Sequence, residues 1–277
     1  MTVTYSAGLP LVVVSVVLLA WSFSGQHAQA AAMSPLSLRR PFASLRLLFS
    51  NLRWLSAYLT GWLGWAAYVA ALRYLPLSVT QGISAAGMAL LAVLSHHRIG
   101  HLEREELFGT AASFLGLVLV FVALPTVGHG HAVHNWRVAS VVVVGLMLAA
   151  VAASPGRALV GAGAALGIAA GLCYGVGDVA TKAAVDGSSL LFVPAFLLCH
   201  LVGFVATQLA YQRGSLLETA GVSSLLTNAI PIVAGFAIYG EFPLRGSGRV
   251  IELVGLVLAV VGGALLARHG RPETLVA

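Results

Sequence analysis

Apolar runs of membrane-spanning length alternate with short polar segments along most of the chain. A helix needs about 20 mostly apolar residues to cross a bilayer, and only helices and closed barrels satisfy their backbone groups there. The runs lack the alternation of apolar and polar residues that barrel strands show. The pattern predicts an all-α polytopic membrane protein of about nine transmembrane helices. The predicted spans are residues 7–24, 54–73, 77–96, 107–125, 138–154, 158–181, 188–211, 217–240 and 250–267.

The first span has two interpretations. Its apolar core from Leu9 to Phe23, followed by Ala28-Gln29-Ala30, is typical of a cleavable signal peptide. However, the first 38 residues contain no Lys or Arg, so the positive segment of a signal peptide is missing. We therefore expect this segment to be retained as a transmembrane helix.

Composition supports a membrane protein. Hydrophobic residues make up 59% of the 277 residues and charged residues only 9%, whereas globular domains carry roughly 25% charged residues. This excludes a soluble enzyme, a secreted disulfide scaffold and a disordered protein. The net charge of +6 comes from scattered basic residues, so the expected partner is the lipid bilayer and not nucleic acid.

The basic residues also predict an orientation. With the N-terminus outside, ten basic residues lie on the inner side and five on the outer side, which places the C-terminus in the cytoplasm. Arg39, Arg46 and Arg53 are spaced by seven in the inner loop 25–53, which we expect to lie on the bilayer surface. The 14 Arg residues against one Lys are typical of a high-GC bacterium, so the expected location is a bacterial plasma (inner) membrane.

The chain contains an internal repeat. A shift of 139 residues aligns Gly64 with Gly203, Ala71 with Ala210, and residues 80–84 with residues 219–223. Spans 2 to 4 then correspond to spans 7 to 9, and an odd number of crossings between them makes the halves inverted. Inverted halves suit alternating access around a midplane site. The predicted units are residues 1–125 (spans 1 to 4), 126–157 (an outer histidine-containing loop and connecting span 5), 158–268 (spans 6 to 9) and the cytoplasmic tail 269–277.

Several motifs point to a family. The segment from Ala71 to Ser78, the Gly240-Glu241 turn and the segment from Gly171 to Lys182 resemble the drug/metabolite transporter superfamily with its EamA-type repeats. The nine spans and Thr207-Gln208, ahead of residues 214–216, resemble its NIPA-like branch. That resemblance implies a transporter, and the NIPA-like branch is associated with magnesium.

Few ionisable or polar side chains fall inside the predicted spans, and such residues are candidates for function. Asp178 and Lys182 share a helical face. They form either an ion pair that gates the pathway or a salt bridge near the outer interface. His200 is either a neutral, hydrogen-bonded histidine or a proton-coupling group. The polar residues of spans 3 and 8 either bind a solute or join helices. The predicted substrate pathway comprises Gln81, Ser84, Tyr174, Asp178, Lys182, His200, Gln208, Ser223, Thr227 and Asn228.

Other motifs give weaker signals. Four glycines spaced by four residues predict close helix packing: Gly163, Gly167, Gly171 and Gly175. Two histidine groups are only a weak signal for a metal, so no metal site is expected: His96, His97 and His101, and His129, His131 and His134. The Gly175 to Asp178 motif resembles that of intramembrane aspartyl proteases, but Asp186 is the only other aspartate, eight residues away. An aspartate dyad is therefore excluded, and no enzyme is expected.

These features together predict a secondary transporter that moves a small metabolite or drug-like solute by alternating access, without a cofactor. One alternative is a NIPA-like carrier of magnesium or another divalent cation. Another is a scaffold or partner subunit that transports nothing. The sequence leaves the solute and the formation of a homodimer open.

Overall fold

The structure is a computed structural model that describes residues 5–37, 40–85, 133–154, 161–214, 216–241 and 247–269, with scattered positions between 104 and 119. Regular secondary structure in these ranges is entirely helical. The α-helices are α1 (Tyr5–Ala31), α2 (Pro41–Ser50), α3 (Leu52–Ala71), α4 (Leu77–Ala85), α5 (Asn135–Ala153), α6 (Ala162–Val185), α7 (Phe192–Tyr211), α8 (Val222–Ala237) and α9 (Ser247–His269). A π-helical turn, Leu217–Gly221, leads into α8.

Several of these helices can cross a membrane. In the described ranges, five segments are long and apolar enough: Tyr5–Ala31, Asn135–Ala153, Ala162–Val185, Phe192–Tyr211 and Thr219–Ala237. The prediction of a helical, multi-pass membrane protein is thereby confirmed, whereas the number of nine spans stays a prediction. Most of predicted spans 3 and 4, the tail 270–277, and His96, His97, His101, His129 and His131 lie outside the described residues.

The exposed faces of the helices are apolar. One side of α5 exposes Val144, Met147 and Val151, and one side of α7 exposes Leu198 and Leu201. A soluble protein rarely presents such continuous apolar surface to water, so these faces suit contact with lipid.

Helix α1 is longer than the apolar pattern predicts. The predicted span ends at residue 24, but the helix continues to Ala31, at the start of the predicted loop 25–53. The polar residues in this extension are buried and bonded: Gln26 contacts Gln208, and His27 contacts the backbone of Gly214. A hydropathy pattern cannot anticipate polar side chains that find partners inside the protein.

A capping residue separates α2 from α3. The Asn51 side chain accepts a hydrogen bond from the backbone nitrogen of Trp54, which satisfies one free amide at the start of α3. Helix α2 begins with Pro41, where the missing N–H costs no helical bond. Phe42, Leu45 and Phe49 are exposed along α2, as expected of a segment that rests on a bilayer surface.

Helix α6 is the most buried of the five candidate spans and organises the packing. It lies against α5, α7 and α8, while α1 packs along α3 and α4 contacts α8. Four glycines of α6 face backbone: a Cβ at Gly163 would lie 2.7 Å from the Cα of Gly214, and one at Gly167 would lie 2.8 Å from the carbonyl oxygen of Thr219. At Gly171 and Gly175 the nearest backbone atoms are carbonyl oxygens of α8. Helices can approach this closely only where side chains are absent.

Candidate functional site

A cavity of about 440 Å³ lies between α1, α3, α4, α6, α7 and α8. This volume is within the usual range for small-molecule sites. Much of its wall is aromatic: Phe23, Tyr58, Trp62, Trp65, Tyr68, Tyr174, Phe196, Phe204 and Tyr211. Among the lining residues that the structure describes, Asp178 is the only carboxylate, and no Lys or Arg is present. The cavity therefore combines an apolar, aromatic wall with a single acidic group.

Asp178 connects four helices. Its residue is 5% exposed. Its Oδ2 atom accepts a hydrogen bond of 2.8 Å from Nε2 of Gln81 on α4, and its Oδ1 atom lies 3.4 Å from Nε2 of His200 on α7. Nε2 of Gln81 also donates to the hydroxyl of Tyr68 on α3, at 2.7 Å. A carboxylate within a membrane helix is costly to bury, and these neighbours offset part of that cost.

The orientation of His200 is set by its own helix. Its Nδ1 atom lies 2.9 Å from the carbonyl oxygen of Phe196. Because a carbonyl oxygen only accepts, Nδ1 carries a hydrogen and Nε2 is turned toward Asp178. The imidazole also contacts two aromatic rings, with centroid distances of 5.5 Å to Trp65 and 5.6 Å to Tyr174. His200 therefore bonds its own helix through one nitrogen and faces α6 with the other.

Lys182 points away from the cavity, and the predicted Asp178–Lys182 ion pair is wrong. The Nζ atom of Lys182 lies 3.2 Å from Oδ1 of Asp186, one turn further along α6. It also donates to the carbonyl oxygen of Leu72, at 3.0 Å, and to that of Leu75, at 3.5 Å. These acceptors lie just beyond the end of α3, where helix carbonyls lack intrahelical partners. Helical spacing alone allowed either aspartate to pair with Lys182.

Gln208 lies beside the cavity and does not line it. Its Oε1 atom accepts a hydrogen bond of 3.1 Å from Nε1 of Trp54, and its Nε2 atom donates to Oε1 of Gln26, at 2.7 Å. Nε2 of Gln26 donates in turn to the hydroxyl of Ser22, at 2.8 Å. These residues form a polar network that joins α1, α3 and α7.

The structure brings most of the remaining predicted pathway residues together. Asn228 on α8 donates to the carbonyl oxygen of Ser224, at 2.7 Å, and Ser84 donates to that of Thr80, at 2.9 Å. The predicted residues that line the cavity are Gln81, Ser84, Tyr174, Asp178, His200, Ser223, Thr227 and Asn228. Lys182 and Gln208 are not among the lining residues.

The aromatic wall was missed in the sequence. Tyr58, Trp62 and Trp65 follow one another at intervals of four and three residues on α3 and all line the cavity. Residues at these intervals share one face of a helix. This spacing was the available signal for an aromatic surface.

The sequence also did not predict the structural role of Glu241. Its Oε1 and Oε2 atoms each accept a hydrogen bond of 2.8 Å from a backbone amide at the start of α4, those of Leu77 and Ser78. The residue is 1% exposed. Burial raises the pKa of Glu241, and the two amides and nearby Lys182 lower it in part. Glu241 thus caps a helix that begins more than 160 residues earlier.

The described residues contain no group of three or more His, Cys, Asp or Glu that could hold a metal ion. Of the two predicted histidine groups, only His134 falls among them, at the N-cap of α5.

Comparison with known proteins gives one similarity of note. No family model matches the sequence, and no solved structure matches it. The chain is 25% identical to NIPA9 of Arabidopsis thaliana, a probable magnesium transporter, over 270 residues that cover 86% of this chain and 75% of that protein. This similarity and the apolar helices support a membrane transporter.

Proposed function

We propose that the protein is a secondary transporter that moves a small solute across the plasma membrane by alternating access. The cavity around Asp178 is the proposed solute site. One observation carries the proposal: the cavity is enclosed by α1, α3 and α4 from the first predicted half and by α6, α7 and α8 from the second. A site between two halves can be exposed to either side of the membrane when the halves rock against each other.

Two contacts support the inverted relation of the halves. Lys182 on α6 donates to the carbonyl oxygen of Leu72, in the turn that joins α3 to α4. His27 on α1 lies 3.4 Å from the carbonyl oxygen of Gly214, in the turn after α7. In the proposed repeat, α1 corresponds to α6 and the two turns correspond to each other. The first helix of each half therefore contacts the corresponding turn of the opposite half.

The test is solute flux in proteoliposomes that contain the purified protein. A panel of labelled organic solutes is applied outside, and a magnesium indicator is enclosed inside. We expect saturable uptake that requires the protein and is lost in Thr227→Trp, because the large ring fills the cavity. The matched control is Val233→Trp, on the exposed face of the same helix, which should retain uptake. Protein that moves no solute in this assay is a scaffold or partner subunit, and the proposal fails.

Magnesium is the second candidate solute. It is favoured by the similarity to the Arabidopsis protein, which is named a probable magnesium transporter. Mg²⁺ prefers oxygen ligands and keeps several waters, so it would use Asp178 with the amide oxygens of neighbouring side chains. The enclosed indicator separates this candidate from an organic solute in the same vesicles.

A further inference from the structure

We infer that the cavity takes a monovalent organic cation, such as an amine or a quaternary ammonium ion, and that the Asp178–His200 pair releases one proton when this cation binds. The inference rests on the proposed function and assigns a class of solute to its site. It follows from the hydrogen bonds of the pair, the balance of charge in the cavity and the aromatic wall.

The geometry of the pair leaves room for one shared proton between Asp178 and His200. Nδ1 of His200 donates to the Phe196 carbonyl oxygen, so Nε2 is the nitrogen whose protonation varies. This nitrogen lies 3.4 Å from Oδ1 of Asp178. A bare imidazole nitrogen and a carboxylate oxygen are both acceptors and repel each other. A proton on either atom makes this approach favourable, and we place one there.

The balance of charge makes this proton exchangeable. With the proton bound, the pair is neutral as a whole, as an imidazolium and a carboxylate or as two uncharged groups. An apolar cavity does not tolerate an unpaired charge, so an entering cation needs the Asp178 carboxylate as its counter-ion. The proton then leaves Nε2 or Oδ1 for water, and His200 stays neutral with its hydrogen on Nδ1. No bond between heavy atoms changes, and the total charge in the cavity is conserved.

The same balance selects the charge of the solute. One carboxylate offsets one positive charge, so a divalent ion would leave an uncompensated charge in the cavity. An anion would find neither Lys nor Arg among the described lining residues. A monovalent cation is therefore the ion that this cavity can hold at the lowest cost.

The aromatic wall selects an organic cation over a hydrated metal ion. Trp62, Trp65, Tyr174 and Phe204 present rings to the cavity from three helices. The faces of such rings attract ammonium groups, and quaternary ammonium ions are commonly bound in aromatic cages. The rings of Trp62, Trp65 and Phe204 offer no oxygen ligands to replace the water shell of a small metal ion.

Other titratable groups around the pair are few. Tyr68 faces it from α3 through Gln81, and Tyr174 faces it from α6. Lys182, one turn along α6, is engaged with Asp186 and the α3 carbonyls, and Glu241 caps α4. The described residues that α4 and α8 contribute to the cavity carry no titratable side chain. The exchangeable proton therefore belongs to Asp178 and His200.

The test measures binding and proton release in detergent, separately from transport. Labelled choline and tetraethylammonium are the probes, and a pH indicator in weak buffer reports released protons. We expect saturable binding with one proton released per cation. The uncharged choline isostere 3,3-dimethyl-1-butanol should not bind in the cavity and should not release a proton. Binding with proton release but no flux would contradict the proposed function and leave this inference standing.

Variants assign the roles. Asp178→Asn should weaken choline binding by at least about 30-fold, because it removes a buried counter-ion, whereas the control Asp186→Asn should bind normally. Trp65→Ala should weaken binding about threefold or more, and the control Trp136→Ala, at a residue 66% exposed on α5, should not. His200→Asn should shift the pH dependence of proton release, because Asp178 then holds the proton alone.

Three results would overturn the inference. The first is binding of neither cation by protein that elutes as a single species in size-exclusion chromatography. The second is cation binding without proton release. The third is Mg²⁺ binding that depends on Asp178 and excludes both organic cations.

Discussion

The Oε1 atom of Glu241 lies 2.8 Å from the backbone nitrogen of Leu77, and Oε2 lies equally close to that of Ser78. The first amides of a helix have no partner within the helix and carry its positive end. A carboxylate from the second half of the chain therefore completes a helix of the first half. Lys182 acts in the same way on the carbonyl oxygen of Leu72 after α3. The turn between α3 and α4 is held at both ends by charged groups from the opposite half.

Glu241→Gln should destabilise the protein most at acid pH. The glutamine amide nitrogen cannot accept a hydrogen bond, so one buried amide of α4 loses its partner, at a cost of about 1–3 kcal/mol. Burial raises the pKa of Glu241 above 4.5 in the folded protein. The contribution of Glu241 to the free energy of unfolding is therefore full below the pKa of the unfolded state, and it is lost as pH rises through the pKa of the folded state. The difference in unfolding temperature between wild type and variant should therefore narrow as pH rises. A constant difference at all pH values would refute this assignment.

Lys182→Met should lower the free energy of unfolding by about 1–3 kcal/mol, because the carbonyl oxygen of Leu72 loses its buried donor. Thermal unfolding in detergent, followed by tryptophan fluorescence, measures the change. The control is Arg73→Met, at an exposed cation in the same turn, which should change stability by less than about 0.5 kcal/mol. Equal effects of the two variants would mean that Lys182 contributes only surface charge.

Gln208→Leu should reduce stability and leave choline affinity unchanged. The substitution removes the partners of Trp54 Nε1 and Gln26 Oε1, each a buried polar atom worth about 1–3 kcal/mol when unpaired. Gln208 does not line the cavity, so binding should persist. Gln29→Leu is the control, because among the described residues its side chain makes one long hydrogen bond, of 3.4 Å, with Asn51. Loss of choline binding at unchanged stability would return Gln208 to the solute pathway.

Gly171→Ala should separate α6 from α8. The added Cβ would lie 2.5 Å from the carbonyl oxygen of Ser223 and 2.9 Å from its Cα, and a backbone cannot move aside as a side chain can. We expect a loss of about 1–3 kcal/mol in unfolding free energy. Ala162→Leu, at an exposed position of the same helix, adds more volume and should have little effect. A neutral result at Gly171 would show that the two helices have room to part.

The sequence predicted the membrane helices and the presence of Asp178 in one of them, because hydropathy and burial of charge are properties of the chain itself. It did not predict which side chain lies beside Asp178. Lys182 and His200 were both available, and the outcome depends on the Leu72 and Leu75 carbonyl oxygens, which only the folded arrangement brings within range of Lys182.

The cap on α4 shows the same limit. The Gly240-Glu241 turn was recognised as a motif in the sequence. The motif did not predict that Glu241 accepts a hydrogen bond from the backbone of Leu77. The aromatic wall was different, because the spacing of Tyr58, Trp62 and Trp65 already placed three rings on one face of α3. Only the structure shows that these three rings line one cavity.

The contact of four glycines with backbone atoms also limits how this protein can change shape. At Gly171 and Gly175, carbonyl oxygens of α8 lie directly against α6, so these two helices have little room to shift past each other. Asp178 lies on α6, within this closely packed pair. In the proposed alternating-access cycle, we therefore expect α3 and α4 to move relative to α6 and α8, about the turn that Lys182 and Glu241 contact.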